Sequence, residues 1–387
     1  MVEQLDLSFL NMSYQQFMNT SSPIYLNGGL NAFFLVGLTD ILENHRMVGG
    51  IRLSFTSLGN IEFLYSYENL EKRLDRQIVA YYQKQKTADD YNIIVQQNAS
   101  IFYLLKYPFD KAQSLRFTFE LRYNRQDWKS ISDYSLALGP QHSFWTGGKV
   151  EYILDFSRKL DANILTGFRG KIFTEASCTP AKEFKYMSVS GLDFRYYAPL
   201  ARTLIWANRL SGSCSLGNAP LIYYLGGVDN WIFAKFNSEI SIEPNINYAY
   251  QTLATPMRGF SQNIRNGNNF VLFNTELRWQ IIQTFVQKPL RSDFLRSFQL
   301  VGFFDAGTAW SGLNPYNKNN ALYTRTITSG SNLRITIHKQ TDPIVYGFGT
   351  GIRFMLFSYF LRFDYAWGIE NGKISNHQFY LSLNLDF

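Results

Sequence analysis

The chain closes on NHQFYLSLNLDF (376–387), in which Phe379, Leu381, Leu383, Leu385 and Phe387 fall on one side of an extended strand. Tyr380, Ser382, Asn384 and Asp386 fall on the other, so one face is apolar and the other wet. The same two-residue period recurs along nearly the whole chain. In LRFTFELRYN (115–124), Leu115, Phe117, Phe119, Leu121 and Tyr123 alternate with Arg116, Thr118, Glu120, Arg122 and Asn124. IEFLYSY (61–67), KVEYILDF (149–156), FVLFNTELRW (270–279) and YFLRFDYAW (359–367) repeat it, and helical spacing fits none of them.

A soluble sandwich also alternates, but three features point to a membrane barrel instead. The runs reach about 10 to 13 residues, the length of a tilted bilayer crossing, against a mode of about 5 or 6 in soluble strands. Aromatic residues make up 17% of the 387, with 33 Phe and 25 Tyr, while charged residues also make up 17%, below the roughly 25% of ordinary soluble domains. The charges sit on the face opposite the apolar one, where a lumen would be. Mean hydropathy is nonetheless −0.17, and no run of about 18 apolar residues could span as a helix. An aromatic-rich chain of near-neutral hydropathy fits alternating lipid-facing and lumen-facing positions.

Runs between turn signals predict strands at 29–38, 45–57, 60–68, 75–84, 92–106, 112–124, 131–142, 148–159, 161–174, 184–198, 201–213, 270–284, 295–309, 343–356, 358–369 and 376–387. The expected fold is therefore all-β, a 16-stranded antiparallel transmembrane β-barrel over 25–387, preceded by an N-terminal periplasmic stub or linker at 1–24. SLGN (57–60), the RK near 158–160 and the FS at 357–358 mark short links that follow even-numbered strands. The two longest connections, 214–269 and 310–342, follow odd-numbered strands and land on the outer side, as bacterial barrels require. The first residues show no signal peptide, so an exported chain would be a mature or truncated one.

Other functions find little support. The net charge of +7 is scattered through the strands without a basic block, which argues against nucleic acid. His142 adjoins Ser143, but neighbours on a strand point to opposite faces and cannot act as base and nucleophile. His45, His338 and His377 sit in no catalytic pattern, and no nucleotide, dinucleotide or zinc motif occurs, so no enzyme activity, cofactor or metal is expected. Cys178 and Cys214 have no metal-ligand spacing. The strand boundaries place both in outer loops, where a disulfide and two free thiols fit equally well.

The remaining information lies in the long connections. The first carries LGGVDNW (225–231) and TPMRGFSQNIRNGNNF (255–270); FFDAGTAW (303–310) and GFGTGIRFMLFSYFLRFDYAWGI (347–369) follow. Together these resemble the outer membrane assembly and two-partner secretion superfamily of the BamA/TamA/FhaC type, in its bacterial surface antigen barrel domain. The resemblance covers about 200–387 by motif and the first half by strand count. It implies that the loop between strands 11 and 12 folds into the lumen carrying a (Val/Ile)-Arg-Gly-(Phe/Tyr) motif, here Met257, Arg258, Gly259 and Phe260. Met257 departs from the β-branched pattern, and the stretch between LGG and RGF is longer than the family's.

Alternation in 298–310 turns Asp305 inward, and on the preceding strand Glu276 also faces inward beside Asn274 and Arg278. An Arg on an inserted loop would pair there by charge-assisted bonds, with Gly259 allowing the tight bend at its tip. The resemblance implies the same partner for Asp305. It also makes the ladder ending in Phe387 the signal for this chain's own assembly, and implies a weak seam between the first and last strands, the first being YLNGGLNAFFLVG (25–37). The implied function is to insert or export other proteins at the bacterial outer membrane. Its partners would be the lipid bilayer with its lipopolysaccharide, client outer membrane or secreted proteins, and periplasmic accessory subunits. A passive pore and a membrane anchor for a larger complex are the alternatives. The residues ahead of the barrel are too few for a periplasmic module of the family's kind, which implies a truncation or a lost client-handling role.

Overall fold

The computed structural model describes residues 14–17, 31–54, 60–88, 92–130, 139–161, 163–180, 183–286, 292–317, 320, 322–329, 333–338, 340–356 and 359–383. A two-residue strand, β1 (Gln15–Gln16), precedes β2 (Asn31–Thr39), β3 (His45–Ser54), β4 (Ile61–Asn69), β5 (Asp75–Ala88), β6 (Asn92–Pro108) and β7 (Gln113–Ser130). β8 (Gln141–Asp155) and β9 (Arg158–Asp161) both pair with β10 (Ile164–Thr179) and act as one bent strand. β11 (Lys185–Ala201) and β12 (Leu204–Gly217) follow, then an inner segment with β13 (Leu221–Leu225), β14 (Tyr250–Ala254) and β15 (Arg265–Gly267). β16 (Asn269–Trp279) and β17 (Gln299–Trp310) return to the wall, and β18 (Thr324–Ser329) and β19 (Leu333–His338) make a separate hairpin. β20 (Val345–Leu356), β21 (Tyr359–Glu370), β22 (Lys373–Ile374) and β23 (Gln378–Leu383) complete the chain. No helix among the described residues is long and apolar enough to cross a membrane.

The wall is one rolled antiparallel sheet in which fifteen strands pair in chain order, from β2 through β8, then β10 to β12, β16, β17, β20, β21 and β23. Among the described residues no pairing joins β2 to β23. The alternation read from the sequence sets the two faces. On β7 the outward Phe119, Leu121 and Tyr123 are about half exposed, whereas Thr118, Arg122 and Asn124 are buried. On β17, Gln299, Val301, Phe303 and Asp305 are buried and Phe304 is exposed.

The expected strand at 131–142 is absent from the ladder. Gln141 and His142 instead open β8, which pairs directly with β7 from Gln113↔Leu154 to Gln126↔Gln141. Two long strands that satisfy each other's backbone leave no edge for a third between them; residues 131–138 lie outside the described ones. Losing one strand reverses the direction of all those before it. β3 therefore ends, and β4 begins, at the same end as the long connections after β12 and β17, not with the short links; of SLGN all but Asn60 lies outside the described residues. The opposite end carries the brief turns 40–44, 70–74, 109–112 and 202–203, and two one-turn helices, Ile281–Phe285 and Asp293–Ser297, between β16 and β17.

Short turns face the periplasm in bacterial barrels and long loops face outward. In intact cells a membrane-impermeant maleimide should label Leu313→Cys and should reach Ile41→Cys only after the outer membrane is permeabilised, with Cys178 and Cys214 replaced by serine. Both positions are 97% exposed, so equal labelling of the two would overturn this orientation.

Candidate functional site

The segment between β12 and β16 fills the lumen as a plug. β13 and β14 pair in parallel, β15 flanks β13, and β1 flanks β14, giving a four-stranded sheet in the order β1-β14-β13-β15. Residues 14–17, placed by the sequence in an N-terminal stub, thus lie within this inner sheet, where the Phe17 amide donates to the Ala249 carbonyl. The plug buries Tyr223, Leu225, Tyr250, Met257 and Phe260 against wall residues Trp145, Met187, Val189, Leu272 and Val345.

Arg258 stands at the centre of this contact with no exposed surface. Its Nε donates to Asp305 Oδ2 at 2.7 Å and its Nη2 to Asp305 Oδ1 at 2.8 Å, a two-pronged contact on β17. Its Nη1 donates to Glu276 Oε1 at 2.6 Å on β16, and its own amide adds a bond to Asp305 Oδ2 at 3.1 Å. The guanidinium carbon lies 3.6 Å from the centre of the Phe303 ring. Burial disfavours the cation, but the Asp305 and Glu276 charges outweigh it and hold the pKa well above the ordinary arginine value. Asn274 completes the cradle by donating both to Asp305 Oδ1 at 2.7 Å and to the Pro256 carbonyl at 2.8 Å.

Glycines give the backbone its close approach. A Cβ on Gly347 of β20 would stand 1.9 Å from the Arg258 carbonyl oxygen, and one on Gly368 of β21 would stand 2.4 Å from the Phe260 ring. Gly259 has φ +93°, which L side chains rarely adopt, and any side chain there would strike the backbone of Trp367 and Gly368. Tyr380 of β23 closes the niche by donating to the Phe260 carbonyl at 2.8 Å.

Sequence reading left several partners unassigned. Glu276 Oε2 accepts from Arg278 Nε at 2.8 Å, and Arg353 pairs with Asp364 at 2.8 Å, all four side chains essentially without exposure. With Arg258 and Asp305 this makes three guanidiniums facing three carboxylates. The signal was the inward parity of Arg353 on β20 and Asp364 on β21, visible in GFGTGIRF and FLRFDY. Arg265 forms a second anchor near the outer end, donating to Glu370 Oε1 at 2.7 Å and to the Asp342 carbonyl at 2.6 Å.

The other expected residues fall elsewhere. Cys178 lies on β10 and Cys214 on β12, not in loops, and both are free thiols. With β11 between them, their strands are about 9.5 Å apart, beyond the roughly 7 Å that a bridge tolerates between Cα atoms. His142 stacks on Tyr123, whose hydroxyl lies 2.7 Å from its Nδ1, while Ser143 accepts from Asn124 on the opposite face. On β23, Phe379 is exposed while Tyr380 and Ser382 are fully buried. Leu385 and Phe387, like Gly28 and Gly29, lie outside the described residues.

Residues 51–387 match the Omp85 superfamily domain. No curated protein sequence matches the chain. Among solved structures, BamA from Haemophilus ducreyi lacking POTRA domains 1–3 is similar with a TM-score of 0.57 at 13% identity, over 92% of this chain and 68% of that one. CdiB from Escherichia coli gives 0.52 at 10% identity over 91% of this chain and 59% of its own. CdiB from Acinetobacter baumannii gives 0.50 at 13% over 92% and 56%, so the chain spans little more than half of either CdiB.

Removing one member of a buried ion pair leaves the rest uncompensated, at a cost of about 3–5 kcal/mol. Arg258→Ala should lower the barrel's unfolding free energy in detergent by that much, read from its denaturant midpoint and slope, and Gly347→Ala should lower the midpoint clearly more than Gly302→Ala, whose added Cβ meets nothing within 4 Å. Equal midpoints for the two glycine variants would show that the tip does not need its niche.

Proposed function

The chain belongs to the Omp85 superfamily, and on that premise we propose that this outer membrane β-barrel is the membrane part of an assembly or translocation factor that passes client proteins into or across the outer membrane. The observation that carries the reading is the combination of a lumen filled by an anchored plug with a wall whose end strands share no pairing among the described residues. A ring of alternating directions needs an even number of strands, and β2 and β23, first and last of fifteen, run the same way. Closure into the expected sixteen therefore takes one more segment, antiparallel to both and from outside the described ladder. Unpaired strand edges are templates for an extended polypeptide, and in lipid their polar groups cost several kcal/mol each unless a partner meets them. Such an edge draws an incoming client strand by backbone hydrogen bonding alone, without nucleotide or metal. The lipid bilayer, unfolded client barrels or secreted chains, and periplasmic accessory subunits are the partners this role requires.

The plug argues against a passive pore. Its tip is fastened to the wall at β16 and β17, and its core packs on both early and late strands. The purified chain in lipid vesicles should speed the folding of a urea-unfolded eight-stranded outer membrane barrel over that in empty vesicles, and should show only brief, small conductances in a planar bilayer. Large steady openings with no gain in client folding would establish the pore instead.

A further inference from the structure

The plug does more than fill the lumen, because part of it lies along the last wall strand. Residues of a strand turn their backbone groups alternately to its two neighbours. β21 takes one edge of β23 over the rungs from Leu361↔Leu383 to Ala366↔Gln378. On the other side, the Ile232 amide donates to the Leu381 carbonyl at 2.9 Å and the Asn230 side-chain amide donates to the Leu383 carbonyl at 3.1 Å. Trp231 stands opposite Ser382 as an antiparallel bridge. Leu381 and Leu383 have the same parity, so both bonds fall on the edge directed away from β21. Asn230–Ile232 thus occupies, in the antiparallel sense, the place of a strand that would pair there.

This contact is short and built to a particular shape. Trp231 is buried against Phe303, Ala366 and Tyr380, its ring centre 4.7 Å from that of Tyr380. Asn230 takes a left-handed backbone, φ +53°, which turns its side chain onto the edge. The indole N–H of Trp231 finds no acceptor among the described residues, a desolvation penalty that release would recover. The segment is tied to the Arg258 tip: Thr255 Oγ1 donates to Asp229 Oδ1, and Gly227 exchanges backbone bonds with Met257. A few bonds hold the segment on the edge, whereas a ladder of rungs holds β23 to β21.

We propose that Asn230–Ile232 is a built-in placeholder on the edge of the last strand that faces away from β21, which an extended, antiparallel polypeptide strand displaces when it pairs there. This rests on the assembly reading above and names the surface at which exchange occurs. The occupant is recognised by backbone pairing and by an apolar side chain filling the Trp231 site. The Arg258 anchor stays in place during the exchange, so the placeholder swings from a fixed root.

Hydrogen exchange in the wild-type chain in detergent tests this directly. Adding a urea-unfolded eight-stranded barrel should speed exchange of the Ile232 amide at least tenfold while leaving the Tyr223 amide in the plug sheet unchanged; an unchanged Ile232 amide overturns the placeholder. A Trp231→Cys, Ser382→Cys pair, with both native cysteines replaced by serine, supplies the second arm, since facing residues of an antiparallel pair lie within disulfide reach. The oxidised protein should lose at least fivefold of the wild type's acceleration of client folding and regain it on reduction. Equal rates in the two states also overturn the proposal. Should the pair not fold, Asn230→Gly, which keeps the left-handed backbone and deletes the bond to Leu383, should raise the client folding rate at least twofold, and an unchanged or lower rate counts against it. Failure of the wild type to speed client folding at all removes the assembly reading, and the exchange of Ile232 then decides the placeholder alone.

Discussion

Everything inside this barrel is arranged around a guanidinium that has no contact with water. Taking an arginine out of solvent costs several kcal/mol unless every donor is met, and Arg258 meets that demand with two carboxylates held on neighbouring strands. Asn274 lies opposite Asp305 in the ladder and Glu276 opposite Phe303, so the register of β16 and β17 fixes where the acceptors stand. Because guanidinium and carboxylate pair as matching planar forks, the contact specifies direction as well as place. A lysine would supply the charge but not the orientation.

The same reasoning explains why the charges extend beyond the first pair. Glu276 has a second oxygen to satisfy, and Arg278 satisfies it; Arg353 and Asp364 continue the pattern on β20 and β21. Each of these three guanidiniums lies against a carboxylate, so the charges taken out of water are matched pair by pair. Small residues then matter as much as charged ones. Gly347 and Gly368 let the tip lie on the wall at backbone distance, which makes the bonds to Asp305 short enough to outweigh desolvation.

The alternation made the wall legible, because each strand shows lipid on one face and lumen on the other and the sequence must write that difference residue by residue. Asp305 and Glu276 were readable as inward for the same reason. The stretch 131–142 misled because a brief local alternation, in DYSLAL, looks like a strand whatever its neighbours do; only the long mutual pairing of β7 and β8 decides that no partner remains for it. The inner sheet was not legible. β14 pairs with β13 across a long excursion of chain and with β1 from the far N-terminal side, and no local period records such a distant contact. The cysteines were misplaced by boundaries drawn a few residues short, since β10 and β12 run on to Thr179 and Gly217.

The plug also makes the barrel mechanically uneven. Its core is shared with β8, β11, β16, β17 and β20, and its anchors reach β21 and β23. The inward apolar residues of β4, β5 and β6, Leu64, Val79, Tyr81, Phe102 and Leu104, form a separate cluster that packs on itself. Strands held to a rigid insert lose freedom that strands held only by their neighbours keep. Of the two end strands, β23 is therefore the fixed one, with Tyr380 and Ser382 buried against the plug, whereas β2 is attached through β3 alone among the described residues. The members of the charge cluster lie on the plug and on β16, β17, β20 and β21, among the strands the plug holds.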